Sequence, residues 1–170
     1  PIMSVQKKKW GQVFLHDPNI IRKIVQQATI GPAETILEIG VGKGILTERL
    51  APLAKRLWLV ELDPMWLKIT LDKVQNYSNI QARQSDILDF DMRDIGTPCK
   101  VIANIPYYLS AKIIQYLVSH RQYLTGITLM VQKEFAQKLL ARPNTKIYGS
   151  LSVFFQHYFE VQSTFEVSRN

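Results

Sequence analysis

Segments with the pattern of buried strands alternate with segments that have the pattern of helices along almost the whole chain. Runs of strand length and strand composition occur at residues 35–39, 56–60, 79–83, 100–105 and 126–131. Between these runs, apolar residues recur three or four positions apart, which is the spacing of one helix face. A strand, a helix and a second strand in succession form the unit of a parallel sheet. The sequence therefore predicts an α/β fold with one mostly parallel central sheet and helices on both of its faces.

Several element boundaries follow from local sequence signals. Asp17 and Asp63 each precede a proline, which predicts an N-cap with Pro in the first helical turn. We also expect Ser110 to cap the helix that follows the fourth strand. The second helix is expected to span about residues 45–54. Residues 148–152 are expected to lead into the last strands.

Glycines and polar residues stand at the carboxyl ends of four successive predicted strands. Residues 40–44, Gly-Val-Gly-Lys-Gly, follow the first strand, and Glu61, Asp86 and Asn104 follow the next three. Ligands of parallel α/β sheets bind outside this edge of the sheet. Any one of these residues could be an ordinary cap or turn residue, but four successive strand ends together predict one ligand site.

The glycine-rich loop at residues 40–44 narrows the class of ligand. Glycines between a strand and a helix let backbone amides approach a ligand at the positive end of the helix dipole. The dinucleotide fingerprint G-x-G-x-x-G would need glycine at position 45, where Ile45 stands. The observed spacing suits a cofactor whose charged tail is an amino acid instead of a pyrophosphate. Glu61, about 20 residues after the first glycine, has the position of an acid that binds ribose hydroxyls.

The fourth strand ends in Asn104-Ile105-Pro106-Tyr107, a motif that suits a planar exocyclic amine. The side-chain carbonyl of Asn104 and a backbone carbonyl beside Pro106 can each accept an N–H bond, which leaves the lone pair of the amine directed outward. Tyr107 offers a ring face on which a base can stack, and Pro106 restricts the shape of the turn. A strand end followed by a proline turn would explain an isolated Asn-x-Pro, but this one belongs to the predicted ligand site.

The charge of the chain favours a polyanionic partner. The formal net charge is +7 at pH 7 and the isoelectric point is near 9.6, which is typical of proteins that bind nucleic acid. Lys7, Lys8 and Lys9 form a basic arm beside an aromatic residue, and Arg142 and Lys146 belong to a second basic segment. These five residues are the candidate nucleic-acid contacts.

The composition argues against several other classes of protein. Cys99 is the only cysteine, so neither a disulfide framework nor a cysteine zinc site is expected. The three histidines are scattered without ligand spacing, and no metal site is predicted. No apolar run approaches the roughly 18 residues that span a bilayer, and the start of the chain lacks the apolar stretch of a secretory signal. We therefore expect a cytoplasmic protein without a membrane partner.

At these residues the chain resembles class I methyltransferases that use S-adenosylmethionine. More narrowly, it resembles the bacterial small-subunit ribosomal RNA adenine N6,N6-dimethyltransferases, which are relatives of the erythromycin-resistance rRNA methyltransferases. The matching stretches run in family order, at residues 9–15, 37–44, 60–63, 84–86, 104–107, 131–134 and 143–153. The resemblance implies a Rossmann-like fold and a monomeric enzyme that dimethylates adenines of 16S rRNA in the small ribosomal subunit.

The resemblance also implies roles for individual residues. The residues that would contact S-adenosylmethionine are Gln12, Val13, Leu15, Gly40, Gly42, Glu61, Leu62, Asp86, Ile87 and Asn104. Within that set Glu61 would hold the ribose and Asp86 the adenine amine. Asn104, Pro106 and Tyr107 would position the N6 atom of the target adenine.

The chain differs from the family pattern in three places. Val13 stands where the family usually has Asn or His, so a contact from that position would be made by the backbone. Tyr108 stands where Asn is common, and the sequence assigns no role to this second aromatic residue. Beyond Asn170 the family continues with a Phe-x-Pro-x-Pro-Lys-Val motif, a closing strand and a small helical domain. We therefore expect residues 1–170 to be a catalytic domain that binds cofactor but methylates RNA poorly by itself.

Two other functions share parts of this pattern. A nicotinamide-dependent oxidoreductase would use the same sheet and Glu61, but it does not fit the glycine spacing and leaves Asn104 to Tyr107 unexplained. A non-catalytic RNA-binding or ribosome assembly factor on the same fold is the stronger alternative, and a methyl-transfer assay distinguishes it from an enzyme.

Overall fold

A single parallel sheet organises the part of the chain that the computed structural model describes, residues 17–167. The sheet has five strands in the order β3-β2-β1-β4-β5, and all four neighbouring pairs are parallel. The strands are β1 (Thr35–Ile39), β2 (Arg56–Glu61), β3 (Ile80–Gln84), β4 (Cys99–Asn104) and β5 (Leu124–Met130). The predicted α/β architecture is therefore confirmed.

Helices cover both faces of the sheet. Within the described residues they are α1 (Pro18–Ala28), α2 (Ile45–Leu50), α3 (Pro64–Lys73), α4 (Ser110–Ser119), α5 (Lys133–Leu140) and α6 (Ser150–Tyr158). Alternate residues of β1 point to opposite faces. Leu37 and Ile39 enter the core beneath α4, whereas Ile36 enters the core beneath α1, α2 and α3. No helix in this part of the chain combines the length and apolar character needed to cross a bilayer.

The caps predicted for α1 and α3 are confirmed. The Asp17 carboxylate accepts a hydrogen bond from the amide of Asn19 at 2.8 Å, and the Asp63 carboxylate accepts one from the amide of Met65 at 2.8 Å. The prediction for Ser110 was wrong, because a short 3₁₀ turn precedes α4. Ser110 lies inside the first turn of α4, and its hydroxyl donates to the carbonyl of Pro106 at 3.2 Å.

The second helix is shorter than predicted, and its end coincides with a proline. It stops at Leu50, and the chain tightens into a turn in which the amide of Leu53 donates to the carbonyl of Leu50 at 3.0 Å. Pro52 has no N–H with which to continue the helical ladder. The helix therefore cannot extend regularly to residue 54.

Residues 150–158 form α6 instead of leading into a strand. The Ser152 hydroxyl donates to the carbonyl of Lys138 at 2.6 Å and accepts from the amide of Gly149 at 3.2 Å, which anchors the first turn of the helix on α5. Phe155, one turn later, is buried against Ile114 of α4. The expectation that residues 148–152 lead into a strand was therefore wrong, because packing against α4 and α5 favours the helix.

Lys100 of β4 holds the C-terminal end of α1 against the sheet. Its ammonium group donates to the carbonyls of Ala28 and Thr29 at 2.9 and 2.8 Å, and to the carboxylate of Glu34 at 2.9 Å. Only 14% of the Lys100 side chain is exposed. Because carbonyls at a helix C-terminus lack intrahelical donors and carry partial negative charge, one buried cation satisfies three acceptors here.

We expect Lys100→Met to lower the free energy of unfolding by about 2–3 kcal/mol, because methionine fills the space but leaves these acceptors without their cation. Partial burial acts to raise the pKa of Glu34, but the amide of Gly31 and the Lys100 ammonium outweigh it and lower that pKa from its usual value. A lowered carboxyl pKa stabilises the folded protein above the unfolded pKa, and this contribution is lost as pH falls through the folded pKa. The difference between the two proteins should therefore shrink in acid.

Urea unfolding at neutral and acidic pH measures this difference. Lys68→Met, at an exposed position of α3, is the matched control and should change stability by less than about 0.5 kcal/mol. An equally small change for Lys100→Met would show that Lys100 does not stabilise the end of α1.

Candidate functional site

The parallel register brings the predicted strand-end residues to one edge of the sheet. Glu61 and Asn104 are the last residues of β2 and β4, and they pair with Gln84 of β3 and Met130 of β5. Gly40 directly follows β1, and Asp86 lies two residues after β3. All four predicted positions therefore lie along the carboxyl edge.

The glycine loop after β1 depends on left-handed backbone conformations. Gly40, Gly42 and Gly44 have φ angles of +74°, +50° and +75°, which other residues adopt only with strain. A Cβ on Gly40 would meet no atom within 4 Å, so the space beside the loop is open at this position. Two hydrogen bonds of 2.9 Å hold the loop: the amide of Gly40 donates to the carbonyl of Val60, and the amide of Gly44 donates to the carbonyl of Val41.

Glu61 is fixed by two backbone amides. Its side chain is buried, with 3% of the residue exposed. Oε1 accepts from the amide of Asp63 at 2.9 Å, and Oε2 accepts from the amide of Gly42 at 3.2 Å. Each carboxylate oxygen has a further lone pair, so Glu61 can still accept hydrogen bonds from ligand hydroxyls. Leu62, which follows it, is 42% exposed and offers an apolar surface at the same edge.

Asp86 caps a short 3₁₀ turn and remains partly accessible. Its Oδ1 atom accepts from the amide of Leu88 at 3.0 Å, and Ile87 beside it is buried. Tyr108, to which the sequence assigned no role, belongs to the same region. Partial burial, followed by the negative charges of Asp86 and Glu61, raises the pKa of Tyr108. Tyr108 therefore lies within range of the charges of both acids at this edge.

The Asn104-to-Tyr107 turn has a defined backbone. The amide of Ile105 donates to the carbonyl of Met130 at 3.0 Å, which continues the pairing of β4 with β5. The carbonyl of Pro106 accepts from the amide of Leu109 at 3.1 Å and from the hydroxyl of Ser110 at 3.2 Å. Asn104 is half-buried. Tyr107 is 63% exposed, so a face of its ring is open to a ligand.

Glu38, in the middle of β1, is a buried acid that the sequence patterns did not single out. It is 1% exposed, and its Oε2 atom has no hydrogen-bond partner among the described residues. Burial is the largest effect on Glu38 and raises its pKa to about 8. The nearby Thr47 hydroxyl lowers that pKa, although it does not form a hydrogen bond of good geometry with the carboxyl group. The negative charge of Glu61 raises the pKa of Glu38 further. The available signal was a glutamate inside the apolar run Thr-Ile-Leu-Glu-Ile.

We expect the protonation of Glu38 to make stability depend on pH. Because the pKa rises from 4.5 to about 8 on folding, the folded protein keeps a proton that the unfolded chain releases in this window, and stability falls as pH rises through it. Glu38→Gln removes the titrating group, so its unfolding free energy should fall less between pH 5 and pH 9 than that of the wild type. Glu134→Gln, at an exposed position, should follow the wild-type profile. Parallel profiles for all three proteins in denaturant titrations would contradict the raised pKa.

The remaining predicted contact residues lie either outside the described part of the chain or in the segment between α5 and α6. Gln12, Val13 and Leu15, together with Lys7, Lys8 and Lys9, lie outside the described residues. Arg142 and Lys146 are exposed between α5 and α6. Residues 17–167 contain no group of three or more His, Cys, Asp or Glu side chains arranged to hold a metal ion.

The sequence of the chain matches a known family over almost its whole length. The family model for ribosomal RNA adenine dimethylase matches residues 3–170. The ribosomal RNA small subunit methyltransferase A of Geobacillus sp. (strain WCH70) is 41% identical to this chain over 170 residues. The match covers 96% of this chain and 58% of that relative. The chain therefore spans somewhat less than three fifths of the length of the curated relative.

Solved structures resemble the fold over smaller parts of the chain. A dimethyladenosine transferase from Plasmodium falciparum is 32% identical, with a TM-score of 0.76, and the match covers 85% of this chain and 52% of that one. The N-methyltransferase NodS from Bradyrhizobium japonicum, in complex with S-adenosyl-L-homocysteine, is 25% identical, with a TM-score of 0.53. That match covers 59% of this chain and 54% of NodS.

Proposed function

This chain belongs to the ribosomal RNA adenine dimethylase family, and from that premise we propose that it transfers methyl groups from S-adenosylmethionine to the N6 atoms of adenines in 16S ribosomal RNA. The observation that carries the proposal is the arrangement of the carboxyl edge. Glu61 at the end of β2 and Asp86 after β3 are acids that can accept hydrogen bonds from a nucleoside. They share this edge with the turn that begins at Asn104, which suits an exocyclic amine. We propose that residues 1–170 form the catalytic domain.

The residues on the cofactor side fit S-adenosylmethionine. The amides of Gly42 and Asp63 occupy one lone pair on each carboxylate oxygen of Glu61. The remaining lone pairs would accept hydrogen bonds from the ribose hydroxyls. Asp86 would accept from the adenine amine, and Leu62 offers an apolar surface beside it. When bound, the cofactor would supply an electrophilic methyl group on its sulfonium.

The residues that complete the proposed cofactor site are neighbours of these groups. They are Gly40 and Gly42 of the loop, Ile87 beside Asp86, Asn104, and Gln12, Val13 and Leu15 before α1. The open space beside Gly40 supports close approach of a ligand to the loop.

On the base side, Asn104 and its turn would orient the amine of the target adenine. The carbonyl of Pro106 already accepts two hydrogen bonds. We therefore assign the second acceptor to the carbonyl of Ile105, which precedes it. Together with the Asn104 side-chain oxygen, it would accept both N6 hydrogens and direct the nitrogen lone pair outward. The same acceptors would stabilise the positive charge that the nitrogen gains on alkylation, until one proton leaves to water.

Tyr107 would stack on the adenine ring. Base stacking on an aromatic side chain contributes about 1–3 kcal/mol. An adenine inside a helix cannot reach a site on a protein surface, so the target would be unpaired or flipped out of its helix. The orientation of the amine relative to the methyl group would supply most of the remaining acceleration.

The RNA would be held mainly through its phosphates, as the net charge of +7 indicates. We propose that Lys7, Lys8, Lys9, Arg142 and Lys146 contact the RNA phosphates. We also propose that the protein is a monomer and that it acts on small ribosomal subunits in the cytoplasm. The strand-end turn at Asn104 has no evident use in a non-catalytic assembly factor, so the enzyme is the favoured function.

Methyl transfer from labelled S-adenosylmethionine to undermethylated small ribosomal subunits tests the proposal. The assay is run on this chain and on a form extended to the length of the curated relatives, and we expect label at adenine N6 with at least the longer form. Cofactor binding without transfer by either form would favour the assembly factor. Absence of cofactor binding would contradict the proposed function itself.

A further inference from the structure

Both backbone polar groups of Gly42 are held by side chains from outside the loop. Its amide donates to Oε2 of Glu61 at 3.2 Å, and its carbonyl accepts from the hydroxyl of Thr70 at 3.2 Å. Glu61 ends β2, whereas Thr70 lies in the middle of α3 and is fully buried. The centre of the glycine loop is therefore clamped between one strand and one helix.

Thr70 also packs against the end of the loop. A Cβ placed on Gly44 would lie 2.8 Å from Oγ1, 3.1 Å from Cγ2 and 3.2 Å from Cβ of Thr70. Real Cβ atoms do not approach other atoms so closely, so α3 and the loop are in direct contact at this point. Thr70 is thus close to two of the three glycines, through its hydroxyl at Gly42 and through its whole side chain at Gly44.

The hydrogen bond from Thr70 determines which way a peptide unit of the loop faces. Because Thr70 is fully buried, the Gly42 carbonyl points into the protein interior. The peptide unit between Gly42 and Lys43 is planar and trans, so the N–H of Lys43 points in the opposite direction to the Gly42 carbonyl, away from the interior. A carbonyl that turned outward would instead present partial negative charge to the carboxylate tail of an amino-acid cofactor.

We infer that Thr70 is a positioning residue for the cofactor loop: its hydroxyl holds the Gly42 carbonyl inward, so that the loop presents a surface that tolerates an anionic ligand group. The inference rests on the proposed function, because it concerns the affinity of the same site for its cofactor. Thr70 does not contact the cofactor itself and acts through Gly42.

Two substitutions separate the hydroxyl of Thr70 from its packing. Thr70→Val keeps the shape and removes the donor, whereas Thr70→Ser keeps the donor and removes the methyl group that faces Gly44. We expect Thr70→Val to weaken the binding of S-adenosyl-L-homocysteine about five- to tenfold, which is the size of one neutral hydrogen bond. Thr70→Ser should stay within about twofold of the wild type.

Thr35→Val is the matched control, because it makes the same chemical change at a buried position at the other end of β1. It should leave the affinity unchanged. Isothermal titration calorimetry on the folded chain gives the dissociation constants, and urea unfolding of each variant confirms that it is folded. In the form extended to the length of the curated relatives, methyl transfer at saturating cofactor should be nearly equal for all variants, because a positioning role affects cofactor affinity and not turnover.

The order of the two variants decides the outcome. Weaker binding by Thr70→Val than by Thr70→Ser supports the positioning role of the hydroxyl. The reverse order, or wild-type affinity for Thr70→Val, overturns it and leaves the proposed function intact. If the wild-type chain itself does not bind S-adenosyl-L-homocysteine, both the proposed function and this inference fail.

Discussion

Replacing Asn104 by alanine is expected to slow methyl transfer by about 10²–10³-fold, the usual effect of removing one preorganised group that stabilises developing charge. Alanine leaves the N6 amine with one acceptor, the proposed carbonyl of Ile105, so its lone pair is no longer held in one direction. Affinity for the cofactor should change by less than about fivefold, because the proposed ribose and adenine contacts come from Glu61 and Asp86.

Single-turnover methylation at saturating cofactor, by the form extended to the length of the curated relatives, measures this effect, and calorimetry of S-adenosyl-L-homocysteine binding is the companion measurement. Substitutions at Tyr107 provide a comparison within the same turn. Tyr107→Phe keeps the ring and should be mild, whereas Tyr107→Ala removes the stacking surface and should be severe. A rate for Asn104→Ala near that of the wild type would exclude the proposed role of Asn104.

Replacing Glu61 by alanine is expected to weaken cofactor binding by about 10–100-fold, since a hydrogen bond to a charged group contributes about 1.5–3 kcal/mol. Two effects act together. The ribose loses its acceptor, and the amides of Gly42 and Asp63 lose theirs, so the glycine loop is released at its centre. Glu61→Gln keeps the size of the side chain but turns an NH₂ group toward one of these amides. Its affinity for the cofactor should lie between that of Glu61→Ala and that of the wild type.

Glu48→Ala is the control for this series, because Glu48 is exposed on α2 and forms an exposed ion pair with Lys73 at 3.5 Å. Its affinity should equal that of the wild type. Circular dichroism of Glu61→Ala is needed to establish that the variant is folded. A folded Glu61→Ala protein with wild-type affinity would remove Glu61 from the cofactor site.

The fold class and the edge at which the candidate site lies could be predicted from the sequence alone. The alternation of strand and helix patterns predicted the parallel sheet, and Asp17 and Asp63 predicted two helix starts. These signals are local: they depend on which side chains share a face and on whether a side chain can cap the amides next to it. Glu61 and Asn104 could be selected for the same reason, because each ends a predicted strand and parallel strands end at one edge.

The hydrogen-bond partners of those residues, in contrast, depend on how distant segments pack together. The hydroxyl of Thr70 meets the carbonyl of Gly42 across 28 positions of sequence, and no periodic pattern encodes such a pair. The burial of the Glu38 carboxyl could not be predicted from the sequence, because it results from the packing of α2 against the sheet. Residues 148–152 were expected to lead into the last strands, but residues 150–158 form a helix that packs on α4 and α5. In each of these cases the free energy that decides the outcome comes from burial and hydrogen bonding between distant segments, which local sequence does not contain.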